Sequence, residues 1–327
     1  MTLIKTIFLI PISILSMNIQ QLEYAIALAE TRHFDTAASR CFVTQSTLST
    51  MIAKLEEELG IAIFDRKKKP LEVTIEGKAL IEHMRVIIKE INQLRELSSE
   101  LKGEINGELK IAVIPTIAPF LLPMFLQDFA ERFPNLTIRV REQTTGEIMR
   151  QLKTRELDIG IVSTPLEDSE LLETKLYDEP FVHYDAGKKQ PNTIAVERLD
   201  LNNILLLEEG HCMRTQVMRL CDIKRKSSSP RFNFEFKAGS IDSLLRFVKA
   251  NKAATLLPYL ATTGMNAHEL SRVSRIGSPE PYRSVGLVVH RHFVKKQILT
   301  MLSEEITQRV NKVMPQRRRK GEELAPL

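Results

Sequence analysis

The sequence contains no tryptophan and only 6% aromatic residues, too few to build a stacking platform for single-stranded nucleic acid. Its three cysteines cannot make a disulfide scaffold, and nothing else marks a secreted chain, so the expected compartment is the reducing cytoplasm. Neither sign of charge dominates: 46 Lys and Arg against 41 Asp and Glu give a net +5. That balance permits a nucleic-acid partner without demanding one. Long apolar runs are missing too, apart from Ile7 to Leu15 near the start. This run resembles the apolar stretch of a signal peptide but is too short to span a bilayer as a helix. No small-x-small cleavage pattern precedes Asn18, where a helical domain begins at once. We therefore expect residues 1–16 to be an extension from a start codon placed too early, with Met17 as the true start.

What is present is a globular composition, 43% apolar and 27% charged over 327 residues, long enough for two or three folding units. From Asn18 the pattern predicts three short helices. Leu22, Ile26 and Ala29 mark the buried face of the first. The second is expected over Asp35 to Arg40, with Asp35 as its cap. Phe42-Val43-Thr44 makes a turn, and Gln45 or Ser46 opens the third helix. There Leu48, Ile52, Leu55 and Leu59 step by 4, 3 and 4 and form one core stripe. Ser46, Thr47, Ser49 and Thr50 fall on the opposite side, where short hydroxyl side chains allow close approach to base edges and phosphates. Gln45 and Lys54 belong to the same candidate DNA-contact set. Gly60 is expected to end the helix in a left-handed cap.

A basic segment follows, in which Arg66, Lys67, Lys68 and Lys69 lie between the anchors Phe64 and Leu71. Alone, such a run reads as a solvated turn. Directly after a helix-turn-helix it reads as a β-wing over the phosphate backbone. From Ile75 to about Leu101, Leu80, Met84, Ile87, Ile91, Leu94, Ser98 and Leu101 alternate by 4 and 3, a heptad seam with one polar break. The alternatives are a helix packed on its own domain and a dimerisation helix; the Glu, Lys, Arg and Gln flanks favour the second. A dimer would set two readers on successive DNA turns.

This order of parts resembles the LysR-type transcriptional regulators. The resemblance is carried by Ala37-Ala38, Gln45-Ser46-Thr47-Leu48-Ser49, Leu55-Glu56-Glu57-Glu58-Leu59-Gly60, Phe64, Arg66, Thr74 and Gly77, and extends from Asn18 to about Lys312. It implies a winged helix-turn-helix over 17–76, a linker and dimerisation helix over 77–106, and an effector domain over 107–315 like a periplasmic binding protein. Within that domain it implies lobe I at about 108–177 and 284–312, and lobe II at about 178–283. It also implies double-stranded promoter DNA as partner, a homodimer or homotetramer, and contact with RNA polymerase, with no membrane partner.

The carboxy-terminal part supports the same class independently. Strands at Leu109–Val113, Leu136–Arg141 and Leu157–Val162 alternate with helices, which indicates an α/β domain with a largely parallel sheet. Ligands on such sheets bind near strand carboxyl ends, where helix N-termini present free N–H groups. Thr116 and Thr145 occupy that kind of position, although a lone Thr there is more simply a cap. Ser240-Ile241-Asp242 opens a helix ending at Ala250-Asn251-Lys252, with Asn251 able to take a left-handed conformation. Residues 316–327 start basic and end without pattern, and are expected to be a flexible tail.

The most informative stretch runs from Glu208 to Cys221. Its composition predicts a helix beginning near His211, with Cys212 in the first turn, where the helix dipole, His211 and Arg214 favour thiolate. Cys221 lies among Val217, Met218 and Leu220 and is expected to be buried. By spacing alone, inert packing is the expected fate of both cysteines. Nine residues of helix hold them about 13 Å apart, whereas a disulfide needs Cα atoms closer than about 7 Å. Pairing them would require the segment to unwind.

Gly210-His211-Cys212, Arg214, Gln216, Met218 and Cys221 resemble the OxyR branch of the LysR family, the peroxide sensors. That resemblance implies that Cys212 is oxidised by hydrogen peroxide to a sulfenic acid and that Cys221 resolves it as a disulfide. It also implies a peroxide and thiolate pocket of Thr116, Thr145, His211, Arg214 and Arg283, with no metal or cofactor. A thiol reductant such as glutaredoxin or thioredoxin would reset it. The chain departs from the branch at Thr215, where an acidic residue is common. Cys41 is expected to be a core residue of the DNA reader. Two other readings are a regulator that binds a small anion near Thr116 and Thr145, and a thiol peroxidase using Cys212. The second has no use for a reader and wing, so the chain is not expected to be an enzyme.

Overall fold

The computed structural model describes residues 17–103, 105–199, 204–208, 212–220, 238–315 and 321–326. The chain divides into two compact units, the first ending at Ser98 and the second beginning at Ser99.

The first unit begins with α1 (Ile19–Thr31), α2 (Phe34–Arg40) and α3 (Gln45–Leu59). A capping box opens α1: Asn18 Oδ1 accepts from the Gln21 N–H, and Gln21 Oε1 accepts from the Asn18 N–H. This satisfies two backbone donors at once. The start of α2 differs from expectation. Its cap residue is His33, which makes no side-chain cap hydrogen bond, and Asp35 lies inside the first turn. A carboxylate there still complements the helix dipole without occupying the cap. Thr44 caps α3, whose stripe Leu48, Ile52 and Leu55 is fully buried. Gly60 ends it at φ 65°, in the left-handed region that glycine enters freely.

The wing is a short hairpin of β1 (Phe64–Asp65) and β2 (Glu72–Val73). It leads into α4 (Ile75–Leu101). Gly77 fits there because a Cβ would overlap the Ile63 carbonyl oxygen, so only glycine lets this helix lie so close to the wing. Ile81 and Met84 join the core of the reader. Further along the seam burial is lost, and Leu94 is 68% exposed.

The second unit contains β3 (Gly107–Val113), α5 (Ala118–Arg132), β4 (Leu136–Glu142), α6 (Thr145–Lys153), β5 (Ile159–Thr164), β6 (Leu171–Asp185) and β7 (Thr193–Ile194). After these come α7 (Cys212–Leu220), α8 (Ile241–Asn251), β8 (Ala254–Pro258), α9 (Ala267–Leu270), β9 (Val273–Ile276), β10 (Glu280–His290), α10 (Lys296–Asn311) and β11 (Gly321–Glu323). The strands run in the order β4-β3-β5-β10-β6-β9-β7, with β8 beside β6 and β11 beside β10. The sheet is mixed rather than largely parallel. β3, β4 and β5 form the expected parallel core, and β7 with β9 and β10 with β11 also pair parallel. The long strands β6 and β10 pair antiparallel with each other, and β10 pairs antiparallel with β5, as β6 does with β8 and β9.

That antiparallel pair ties two hydrophobic cores together. One gathers β3, β5, α5, α10 and the first half of β6; the other gathers the end of β6 with β8, α7 and α8. At the end of α8 it is Lys252 that turns left-handed, at φ 50°, not Asn251. Asn251 stays helical because its Nδ2 donates to the Phe247 carbonyl at 2.9 Å. The tail departs from expectation more strongly. Residues 316–320 lie outside the described residues, but Gly321–Glu323 is a strand and Leu324 is buried. An apolar residue and a free strand edge outweigh the lack of pattern in this segment. No helix among the described residues is long and apolar enough to cross a membrane.

Candidate redox site and nucleic-acid interface

The site is organised where β6 and β10 cross between the two cores. Arg283 and Glu179 are direct cross-strand partners, and each side chain is only 1% exposed. Arg283 Nε and Nη2 donate to Glu179 Oε2 at 2.9 and 2.8 Å. Its Nη1 donates to Thr116 Oγ1 at 2.9 Å, and Nη2 also reaches the Thr116 carbonyl at 3.1 Å. The other Glu179 oxygen accepts from the Leu260 N–H at 2.8 Å. Burial alone would lower the Arg283 pKa, but Glu179, and after it Cys212 and Tyr177, hold it above the ordinary arginine value. Tyr177, fully enclosed beside this pair, is raised well above the usual phenol range, first by burial and then by Glu179.

Cys212 is the first residue of α7 and is buried. Its side chain packs in the core formed by β3, β5 and α5, whereas Met213 and Val217 of the same helix pack in the other core. The thiol donates to Ser163 Oγ on β5 at 3.8 Å, an ordinary distance for a hydrogen bond to sulfur. Ser163 pairs with Val285, two residues along β10 from Arg283. Arg283 thus holds Thr116 directly and lies close enough to Cys212 for their charges to interact.

The remaining pocket candidates divide. Thr116 is not a helix cap, since Ile117 holds that position. In the Thr144-Thr145 pair, Thr144 Oγ1 caps α6 by accepting from the Glu147 N–H at 3.5 Å. Thr145 is thereby released from capping, and its buried hydroxyl has no hydrogen-bond partner among the described residues. Arg214 Nη1 donates to the Leu207 carbonyl at 2.9 Å, which braces α7 against the preceding chain. His211 and Cys221 lie outside the described residues. Sequence reasoning missed Glu179, Ser163 and Tyr177. Glu179 carried a faint signal, a carboxylate inside a strand of largely buried residues, but nothing local named its partner. Among the described residues no group of His, Cys, Asp and Glu could hold a metal ion.

The DNA-contact candidates lie on α3 and the wing. Gln45, Ser46, Thr47, Thr50 and Lys54 are exposed and Ser49 is half-buried. The Ser46 and Thr47 hydroxyls lie 3.0 and 2.8 Å from the capping Thr44 Oγ1, so they are oriented by the cap. Arg66 is bound back to Glu56 at 2.9 Å, and the same Glu56 receives the Ile63 and Phe64 N–H groups, fixing the wing to α3. Lys68 pairs with Glu72 at 2.5 Å, while Lys67 and Lys69 project from the exposed turn. Cys41 sits at the end of α2, half-buried against the core of the reader, and burial raises its thiol pKa.

Two family descriptions match in chain order: "Bacterial regulatory helix-turn-helix protein, lysR family" over residues 19–78, and "LysR substrate binding domain" over residues 102–307. The chain belongs to the LysR family of bacterial regulators. Among its relatives, a "Hydrogen peroxide-inducible genes activator" of Dickeya chrysanthemi is 34% identical over 275 residues, covering 83% of this chain and 89% of that protein. The "DNA-binding transcriptional dual regulator OxyR" of Escherichia coli K12 is 33% identical over 298 residues, covering 90% and 96%. A full-length OxyR variant from Pseudomonas aeruginosa matches in structure with a TM-score of 0.68 at 28% identity, over 89% of this chain and 98% of that one. A Corynebacterium glutamicum OxyR mutant described as H2O2-bound matches with a TM-score of 0.59 at 25% identity, over 90% and 93%.

Two outcomes follow from this geometry. Glu179→Gln keeps the shape but leaves a buried guanidinium without its counter-charge. It should cost about 3–5 kcal/mol in urea unfolding, while Glu72→Gln at the exposed Lys68 pair should change little. Replacing both Lys67 and Lys69 by Ala should weaken binding to any duplex. It should flatten the plot of log affinity against log salt by about 0.9 for each phosphate that is no longer neutralised, read by fluorescence anisotropy.

Proposed function

We propose that this protein is a DNA-binding transcription regulator that senses hydrogen peroxide through Cys212 and controls oxidative-stress genes. The observation that carries the reading is a buried cysteine opening α7 beside the Arg283–Thr116–Glu179 cluster and the Ser163 hydroxyl. The likeness to hydrogen peroxide-inducible activators supports it.

The chemistry takes two steps. The Cys212 thiolate attacks one peroxide oxygen and the O–O bond breaks. The departing hydroxide takes a proton and leaves as water, and Cys212 becomes a sulfenic acid. The Cys221 thiolate then attacks the Cys212 sulfur, a second water leaves, and a disulfide forms. Two electrons from a dithiol reductant, of the glutaredoxin or thioredoxin kind, restore both thiols. One disulfide per peroxide is a signal rather than turnover, so the reading does not make the protein an enzyme.

The residues of the pocket fit an uncharged substrate. Arg283 already faces Glu179, so a small anion would meet a neutralised pair and gain little. Peroxide needs only hydrogen-bonding groups, which Thr116 and the unpartnered Thr145 hydroxyl would supply together with His211. Because Glu179 shares the Arg283 charge, the thiolate also depends on the Ser163 hydroxyl and on the N–H groups at the start of α7. Donors aimed at the developing charge need no reorganisation during the attack.

The α4 seam beyond Met84 supports assembly as a homodimer, or a homotetramer when effector domains also pair, on promoter DNA with RNA polymerase as a further partner. Disulfide formation would change α7, and the effector domain would pass that change to the reader. A Cys212→Ser protein should keep its fold and its DNA affinity under reducing conditions but lose every peroxide-dependent change in promoter binding. An unchanged response in that variant would sink the proposal.

A further inference from the structure

The C-terminal segment joins the two halves of the redox site. Strand β11 pairs parallel with the first residues of β10, Glu280 to Gly321 and Tyr282 to Glu323. The Leu324 N–H donates to the Tyr282 carbonyl at 2.8 Å, immediately before Arg283. Leu324 is 4% exposed and packs in the same core as Met213 and Val217 of α7. Its carbonyl accepts from Gln216 Nε2 at 2.6 Å, inside the protein. Gln216 is fully buried, one helical turn from Cys212, and its Oε1 has no partner among the described residues. The amide of this side chain is thus committed to the tail alone among the described residues.

We propose that Gly321–Pro326 is a latch, and that Gln216 is a positioning residue through which it holds α7. The latch keeps Cys212 against Arg283 and Ser163 and restrains the unwinding that a Cys212–Cys221 disulfide needs. The redox part of this proposal rests on the peroxide-sensing reading above. The geometry gives the reason. Gln216 lies between the two cysteines in the sequence, and nine residues of intact helix would span about 13 Å, so a disulfide would require the helix to unwind and this side chain to leave the Leu324 carbonyl. Releasing that hydrogen bond would free the tail edge from α7 but leave β10 and Arg283 in place. The tail therefore favours the dithiol form, and its loss should favour the disulfide.

The test uses the full chain, the chain ending at Lys320, and the Gln216→Leu variant, which keeps an apolar body without the amide. Each is equilibrated in dithiothreitol buffers of graded ratio, where disulfide and dithiol exchange with two electrons and two protons conserved. Truncation should raise the equilibrium constant for the disulfide at least tenfold, a shift of about 30 mV to more negative potential. Gln216→Leu should move it the same way by a smaller factor. In parallel, amide hydrogen exchange of Met213–Leu220 in the reduced proteins should quicken at least tenfold in both variants, while β3 and β5 stay protected.

Unchanged potential together with unchanged α7 exchange in folded Gln216→Leu protein overturns the latch, even if the truncated chain fails to fold. Failure of the unmodified chain to form any Cys212–Cys221 disulfide overturns the peroxide-sensing reading instead. In that case the exchange of α7 alone decides whether the tail holds the helix.

Discussion

The buried pair of Arg283 and Glu179 is the constraint on which the effector domain turns. The two residues face each other across β10 and β6, at the point where β6 passes from one core to the other. Each also reaches outward: Arg283 to Thr116 in the turn after β3, and Glu179 to the Leu260 backbone after β8. A pair this deep gives little net stability over an apolar replacement, because desolvation consumes most of the attraction. Its effect is geometric. Once formed it cannot be half broken without stranding a charge in the interior, so it fixes the crossing of the strands and the floor of the site.

Against that floor, α7 is placed by opposing demands. Cys212 is drawn into one core while Met213 and Val217 are drawn into the other. The helix is therefore a bridge between two packed bodies, only nine residues long, and short helices depend on tertiary contacts for their stability. Arg214 and Gln216 supply such contacts through the Leu207 and Leu324 carbonyls. A disulfide between Cys212 and Cys221, as proposed above, would compete directly with this packing. In this way chemistry on a single sulfur atom can become a change in fold.

Elements fixed by local pattern were legible in the sequence. The α3 stripe, the Gly60 cap and the span of α4 follow from spacing and from what glycine alone permits. Finer choices were not, because neighbouring residues compete. Thr144 and Thr145 both suit an N-cap, and only packing shows that Thr144 takes it and leaves the Thr145 hydroxyl without a partner among the described residues. Lys252 rather than Asn251 turns left-handed because the Asn251 amide is held by a helical carbonyl. Glu179 and Ser163 were beyond reach for another reason. Their partners are 104 and 49 residues away, and no spacing rule links them. The mixed sheet was missed similarly, since strand alternation reports which face is buried and not the direction of a neighbour. The docked tail depends on a free strand edge that exists only after β10 has formed.

The most direct test of the account is to add one equivalent of hydrogen peroxide to the reduced protein and map every thiol by mass spectrometry. The account predicts rapid formation of a Cys212–Cys221 disulfide with Cys41 left free. In the Cys221→Ser variant, Cys212 should instead stop at a sulfenic acid that a dione reagent captures. If both thiols remain reduced while peroxide persists, Cys212 is a packing residue and the peroxide-sensing account is contradicted.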